Sequence, residues 1–193
     1  EYEFPMGFKE LEGVHNRTDF DLKRHQEYSG KDLQYIDQDN GNERYVPYII
    51  ETSAGLTRQL LMILCDAYEE EKVADKGNDD DWRTVMKFHP ELAPITVAVL
   101  PLMKKDGLAE LAQEIRSELK HDYATDYDQS GAIGRRYRRQ DEAGTPYCVT
   151  IDYDTKENGT VTVRDRDSME QERVHKDELS AYIRNKIRNY KRS

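Results

Sequence analysis

"SGAIGRRYRRQDEAGTPYCVTIDYDT" occupies residues 130–155 and packs Arg135, Arg136, Arg138 and Arg139 into one short segment of a chain whose formal net charge is −10. Gly131 to Ala143 reads as a basic helix. Gly144 and Pro146 stop it, because glycine suits the position after a helix and proline cannot prolong one. On that helix Arg135, Arg138 and Arg139 share a side, whereas Arg136 lies roughly 100° away. Tyr147, Val149, Ile151 and Tyr153 then alternate as a strand. Asn158-Gly159 reads as a hairpin turn into a return strand carrying Val161 and Val163.

The pattern extends outward in both directions. "YATDYD" (123–128) alternates as a short strand. Leu108, Leu111, Ala112, Ile115 and Leu119 form a helical stripe with Asp106 as its expected cap. "ITVAVLPL" (95–102) is a continuous apolar run, the mark of a strand buried on both faces. Leu179, Ile183 and Ile187 mark a last helix whose basic end suits its dipole. The order strand, helix, strand, helix, strand, strand, helix predicts a mixed sheet covered by three helices over residues 91–193.

The first part of the chain reads differently. Residues 1–50 mix polar loops with short alternating runs. Arg44 to Ile50 reads as a strand broken by "ETSAG" (51–55), after which Leu56, Leu60, Ile63, Leu64 and Ala67 form one apolar helix face. "YEEEKVADKGNDDD" (68–81) reads as the end of that helix passing into a solvated linker. The predicted organisation is therefore residues 1–75, a linker at 76–90, and residues 91–193. Residues 1–85 hold 20 acids against 10 bases, and residues 86–193 hold 19 of each. The acidity belongs to the first part, and basic clusters in the second are not averaged away by it.

Composition narrows the classes. No apolar stretch approaches the ~20 residues of a membrane span. No signal peptide is visible, and the chain begins at Glu1 rather than Met, as expected of a processed chain or a fragment. Cys65 and Cys148 sit in apolar patterns and read as reduced thiols in a reducing compartment. The five histidines show no ligand spacing, so no metal site is expected. Charge alone leaves the arginine cluster with two readings. One is a solvated face tied by surface ion pairs worth about 0–1 kcal/mol each. The other is a phosphate-facing surface at a helix start flanked by Gly131 and Gly134.

"LKHDYATDYDQSGAIGRRYRRQDEAGTPYCVTIDYDT" (119–155) resembles the anticodon-binding domain of the class II aminoacyl-tRNA synthetases for glycine, threonine, proline and histidine. "TVTVRDRDSMEQERV" (160–174) is similar to the form found in the glycine-specific branch. "ELEGVHNRTDFDLKRHQEYSGKDLQY" (10–35) and "YVPYIIETSAGLTRQLLMILCDAY" (45–68) resemble the end of the glycyl-tRNA synthetase catalytic domain. The resemblance spans nearly the whole chain. It includes the third class II motif, around Glu51–Arg58, and lacks the first two. The implied chain is the C-terminal portion of a longer enzyme: part of an antiparallel catalytic sheet followed by an anticodon-binding domain, α/β in class and α+β overall.

The resemblance implies glycine–tRNA ligase chemistry. Glycine and ATP give glycyl-adenylate and pyrophosphate, and the glycyl group then passes to the 3′ end of tRNA(Gly). Mg²⁺ assists the in-line displacement, in which positioning and charge neutralisation dominate. The family pattern places Glu10, Leu11, Gly55, Leu56, Thr57 and Arg58 at ATP, and Glu51, Thr52, Ser53, Ala54 and Gly55 at glycine. Thr52 stands where proline is common, which removes a rigid φ and leaves both polar ligands. Arg135, Arg136, Arg138 and Arg139 fall in the module that grips the anticodon arm. Arg164 and Arg166 extend that surface, and Asp165 and Asp167 are candidate acceptors for base edges. Glu10 and Glu12 are assigned no proton transfer, and His15 and His25 no catalysis. A cytoplasmic homodimer is implied for the full-length enzyme, and inactivity for the fragment alone. Two alternatives stand beside this reading. One is a non-catalytic tRNA-binding accessory subunit derived from such a synthetase. The other is an interaction domain that docks through the last helix, Asp177 to Lys191.

Overall fold

Short strands separated by turns make up the first unit, Glu1–Cys65, in the computed structural model, which describes residues 1–73 and 82–191. Strands β1 (Tyr2–Phe4) and β2 (Gly7–Lys9) form an antiparallel pair. β3 (Glu12–Thr18) is followed by helix α1 (Phe20–Ser29) and by the antiparallel pair of β4 (Tyr35–Asp37) and β5 (Glu43–Tyr45). β6 (Ile49–Ala54) pairs antiparallel with β3 and runs into α2 (Leu56–Ala67). The α1 helix was not expected, because it buries no residue and carries no apolar stripe. Short-range ion pairs support it instead, Lys23 with Asp19 at 2.6 Å and Arg24 with Glu27 at 3.1 Å, and Gly30 closes it in the left-handed conformation. "ETSA" does not break the preceding strand. It continues β6 because β3 offers it a ladder through to the Glu12–Ala54 pair.

The second unit is Asp66–Ser193. It begins with β7 (Tyr68–Lys72) paired antiparallel to β8 (Trp82–Met86). The predicted linker is thereby corrected. Residues 76–81 lie outside the described residues, but 82–86 is a strand with Arg83 and Val85 buried. The division between the units falls after Cys65 and not near residue 75. The remaining elements are β9 (Val97–Pro101), α3 (Leu108–Leu119), β10 (Thr125–Tyr127), α4 (Ile133–Ala143), β11 (Tyr147–Ile151), α5 (Tyr153–Asn158), β12 (Thr160–Asp165), β13 (Gln171–His175), a 3-10 turn at Lys176–Glu178, and α6 (Leu179–Arg188). The five-stranded sheet runs β10-β9-β11-β12-β13. Its β10, β9 and β11 are parallel, and β12 and β13 are antiparallel additions, giving the expected mixed sheet.

Every residue of β9 and β11 is buried, as two-sided coverage requires. Val97, Val99, Tyr147, Val149 and Ile151 face α3 and α6, whose Leu108, Ala112, Ile115, Leu179 and Ile183 complete the main core. Ala98, Leu100 and Cys148 face the other way, against Ile133 and Tyr137 of α4. Each large aliphatic side chain so enclosed contributes about 1.5–3 kcal/mol. Burial pushes the Cys148 thiol up to about 12, so it stays protonated, and Cys65 is likewise unbonded.

Two local expectations fail, for different reasons. Asn158-Gly159 is the end of α5 and not a hairpin turn. Asp152 accepts from the Thr155 amide while the Thr155 hydroxyl accepts from the Asp152 amide, a reciprocal box that starts a helix at Tyr153. Asp106 does not cap α3. Gly107 takes the cap position, and the Asp106 carboxylate instead accepts from the Tyr153 hydroxyl at 2.7 Å.

One buried network ties the β7–β8 pair to α4 and the sheet. Asp141, fully buried on α4, accepts from Arg83 Nη1 at 3.0 Å and from both terminal nitrogens of Arg164 at 2.8 and 3.1 Å. Arg83 also binds Glu71 of β7 and donates to the Arg166 carbonyl at 2.8 Å. Gly144 closes α4 at φ 80°, and a Cβ there would meet Phe88 Cδ2 at 2.4 Å, so both conformation and proximity require glycine. Asp141→Asn leaves Arg164 without its anion and Arg83 with Glu71 alone, and we expect it to cost about 3–5 kcal/mol. Urea unfolding followed through Trp82, the only tryptophan, measures this; a loss below about 1 kcal/mol would remove Asp141 as the organising group.

Candidate functional site

The arginines of the second unit divide by burial. Arg136 is 2% exposed. Its Nη1 donates to the Pro101 carbonyl at 2.6 Å and the Asp128 carbonyl at 3.2 Å, and its Nη2 to the Leu102 carbonyl at 3.3 Å. It thus serves the carbonyls where β9 ends. Burial lowers its pKa, with Asp128 opposing. The 100° offset of Arg136 from its neighbours turns it onto the same side of α4 as Ile133, Tyr137 and Gln140, toward the sheet. Arg164 is 4% exposed, bidentate to Asp141, with its guanidinium carbon 4.9 Å from the Tyr137 ring centroid. Arg166, equally enclosed, donates to the Gly144 and Phe88 carbonyls at 2.9 Å each and to both Asp167 oxygens at 2.7 and 3.0 Å. Three arginines expected on an RNA-facing surface are therefore committed to the interior, because backbone carbonyls at chain ends and a buried carboxylate need charged donors.

The outward set is smaller. Arg135 is exposed, Arg138 is half-buried with Nη1 3.6 Å from Asp141, and Arg139 is exposed but held by Asp128 and the Ser130 carbonyl. Burial alone would raise the Asp128 carboxyl, but the Ser130 amide and Arg139 overcome this and hold it below the usual carboxylate range. Arg135 and Arg138 border an open groove of about 510 Å³ with Tyr137, Met169 and Gln171. The first-turn amides of α4 add partial positive charge at the same end. Asp165 is half-buried at the end of β12. Its Oδ1 accepts from the Asp167 and Ser168 amides at 2.9 and 3.0 Å, which shapes the β12–β13 turn.

In the first unit, the β3–β6 register pairs His15 with Glu51, Val14 with Thr52 and Gly13 with Ser53. Strand alternation puts Glu51 and Ser53 on one face and Thr52 and Ala54 on the other. Glu51 Oε2 lies 3.4 Å from Arg17 Nε, while Arg17 is bidentate to Asp21 at 2.9 and 3.0 Å. The His15 ring covers Gly13, where a Cβ would come within 2.3 Å of Nε2. Gly55 separates strand from helix. Leu56, Thr57 and Arg58 open α2 in exposed positions, with Leu56 85% exposed. Arg58 Nη1 donates to the Glu10 carbonyl at 2.6 Å, joining the Glu10–Leu11 segment to the helix start. The geometry offers a carboxylate and a hydroxyl on one face of a strand, and a guanidinium at the strand's end. Among the described residues no three His, Cys, Asp or Glu side chains converge to hold a metal ion, and no helix is long and apolar enough to cross a membrane.

Arg83 was missed by sequence reasoning because it lay in the predicted linker. Its signal was the alternation of Arg83 and Val85 against Trp82, Thr84 and Met86.

A family model described as anticodon binding domain matches residues 96–186, a span that encloses the five-stranded sheet. The glycine–tRNA ligase of Treponema denticola is 77% identical over 193 residues, covering all of this chain and 43% of that protein. The glycine–tRNA ligases of Treponema pallidum and Borreliella burgdorferi are each 55% identical, over 46% and 42% of their lengths. The chain thus spans less than half of the length of the relatives it matches.

The two arginine classes predict opposite outcomes on truncation. Arg136→Ala removes three charge-assisted bonds to buried carbonyls and should cost about 2–3 kcal/mol in urea unfolding. Arg135→Ala should fall within about 0.5 kcal/mol of the parent. Equal effects would dissolve the division.

Proposed function

We propose that the chain is the C-terminal part of a glycine–tRNA ligase that binds tRNA(Gly) through residues 96–186, the span that the anticodon binding domain model matches. The 77% identity along the full chain is the observation that carries the reading. The enzyme condenses glycine with ATP to glycyl-adenylate and pyrophosphate, then transfers the glycyl group to the tRNA 3′ hydroxyl. Glu51 holds the glycine ammonium, for which Arg17 is its local competitor, and Ser53 hydrogen-bonds beside it on the same strand face. Arg58 donates to phosphate oxygens with the nitrogens left over after its bond to Glu10. Glu10, Leu11 and Gly55–Thr57 frame the nucleotide. Magnesium would supply charge neutralisation at the phosphates. The parts of the site needed to hold the α-phosphate in line come from elsewhere in a cytoplasmic homodimer.

Arg135 and Arg138, with Arg139 beside them, form the phosphate-facing part of the anticodon module. Arg136, Arg164 and Arg166 support it from beneath. An alternative accessory protein would use the same module and have no need of Glu51, Ser53 and Arg58.

Two outcomes test the reading. Charge reversal at Arg135 and Arg138 should weaken tRNA(Gly) binding and flatten its log–log salt dependence by roughly 0.7–0.9 for each phosphate no longer neutralised. Filter binding across a salt series reads both quantities, and unchanged affinity and slope would sink the assignment. The chain alone should show no glycine-dependent pyrophosphate exchange, and measurable exchange would mean that its own residues suffice for adenylate formation.

A further inference from the structure

At the carboxyl ends of β9 and β10 lies a cavity of about 370 Å³, lined by the 101–105 segment after β9, by Gln129 and Gly131 after β10, and by Arg136. The topology creates it. β9 and β10 are adjacent and parallel, yet β9 leads into α3 on one face of the sheet and β10 into α4 on the other. Their outgoing loops diverge, and the gap so left is where open α/β sheets take ligands. Its charge is unbalanced. Arg83, Arg164 and Arg166 each meet a carboxylate. Arg136, as deeply buried, pairs with none among the described residues. It has only the Pro101, Leu102 and Asp128 carbonyls, and its Nε lacks a partner altogether. The Asp128 carboxylate is taken by Arg139 Nε at 3.0 Å and the Ser130 amide at 2.7 Å. A buried cation without an opposite charge is a costly arrangement. Lys104 and Lys105 line the same cavity, exposed, and their ammonium groups have no partner among the described residues. No side chain caps the first turn of α4, so the positive end of that helix adds to the field. In a chain of net charge −10, no acidic side chain lines this cavity.

We propose that this cavity binds a small diphosphate, either free pyrophosphate or the diphosphate end of a nucleotide. Three cations exceed what a single phosphate of about two charges calls for, and two linked phosphoryl groups supply the anion that Arg136 lacks. Lys104 and Lys105 donate to the outer oxygens from the rim. Arg136 acts from beneath through its charge, which the low-dielectric surroundings leave poorly screened. The inference does not rest on the tRNA reading, because it concerns a small dissociable anion at the crevice between β9 and β10, and neither Arg135 nor Arg138 takes part.

Calorimetric titration of the full chain with pyrophosphate, and separately with ADP, tests the site. Pyrophosphate should bind saturably, and the double variant Lys104→Ala/Lys105→Ala should weaken it by roughly 10-fold or more. Both lysines are exposed, so the variant keeps the fold, which its melting temperature without ligand confirms. Arg135→Glu on the neighbouring groove and Arg58→Ala in the first unit should leave the lysine-dependent binding unchanged. Tighter binding of ADP than of pyrophosphate makes the source a nucleotide, and the reverse makes it the free anion; either supports the site when it depends on the lysines. The Nε–H resonance of Arg136 gives a second readout that needs no substitution, and it should move as the site fills. An Arg136 signal that stays in place while the anion binds puts that anion elsewhere and overturns the assignment. So does equal affinity in the lysine variant, or the lack of saturable binding of either probe up to about 10 mM. An anticodon stem-loop RNA that binds through Lys104 and Lys105 while neither small probe does would also overturn it, since the cavity would then serve a polynucleotide alone.

Discussion

The fully buried Asp141 carboxylate is the constraint around which the second unit is arranged. It accepts from Arg83 on β8 and Arg164 on β12 while sitting on α4, so three elements distant in sequence meet at one charge. A lone carboxylate in that position would be prohibitively costly, and two guanidiniums without it would be worse. Each group is tolerable only because the others are in place. The same centre draws in Glu71 and the Arg166 carbonyl through Arg83, which fixes the β7–β8 pair against the rest of the unit. It also decides what the surface can do. Arg83, Arg136, Arg164 and Arg166, enlisted to neutralise Asp141 or to serve buried carbonyls, are withdrawn from contact with any partner outside.

Much of the sheet was legible because its signals are local and strong. The unbroken run at 95–102 can only be a strand covered on both faces, and the stripe from Leu108 to Leu119 can only be a helix lying on it. The Gly144 stop was equally plain, since a φ of 80° excludes most side chains. The capping box at Asp152 was not weighed against the Asn-Gly pair, so a short helix was read as a strand and a turn. The β7–β8 pair was hidden because its residues are charged. Glu69, Glu71, Arg83 and Lys87 look like linker composition, yet they pair with one another across the strands and are partly or fully enclosed.

The first unit was legible in a different way. Its apolar residues fall on regular faces, but in this unit only Phe4 is fully buried, while Val14, Ile50, Leu56 and Leu60 stand exposed. A two-stranded ladder with one helix cannot enclose them. The candidate glycine and nucleotide residues follow the same pattern. Their spacing along β6 sets Glu51 and Ser53 on one strand face, and the Arg58–Glu10 bond joins the helix start to the Glu10–Leu11 segment, yet the surface they share is open. Sequence spacing can fix such local relations. It cannot supply the walls.

Arginine is used here for two opposed purposes, and its chemistry explains why composition could not separate them. A planar guanidinium that stays charged suits a phosphate outside and a carboxylate or a set of carbonyls inside equally well. What separates the uses is angle. Along α4, Arg135 and Arg136 are adjacent in sequence but a quarter-turn apart in space, and that turn carries one to solvent and the other to the ends of β9. On β12, Arg164 points to Asp141 while its neighbour Asp165 points to the opposite face beside Tyr147. The positive cluster is thus a single short layer of exposed charge resting on a second, buried layer of the same residue type. The inner layer holds α4 in place, and only a helix so held can present the outer one in a fixed geometry.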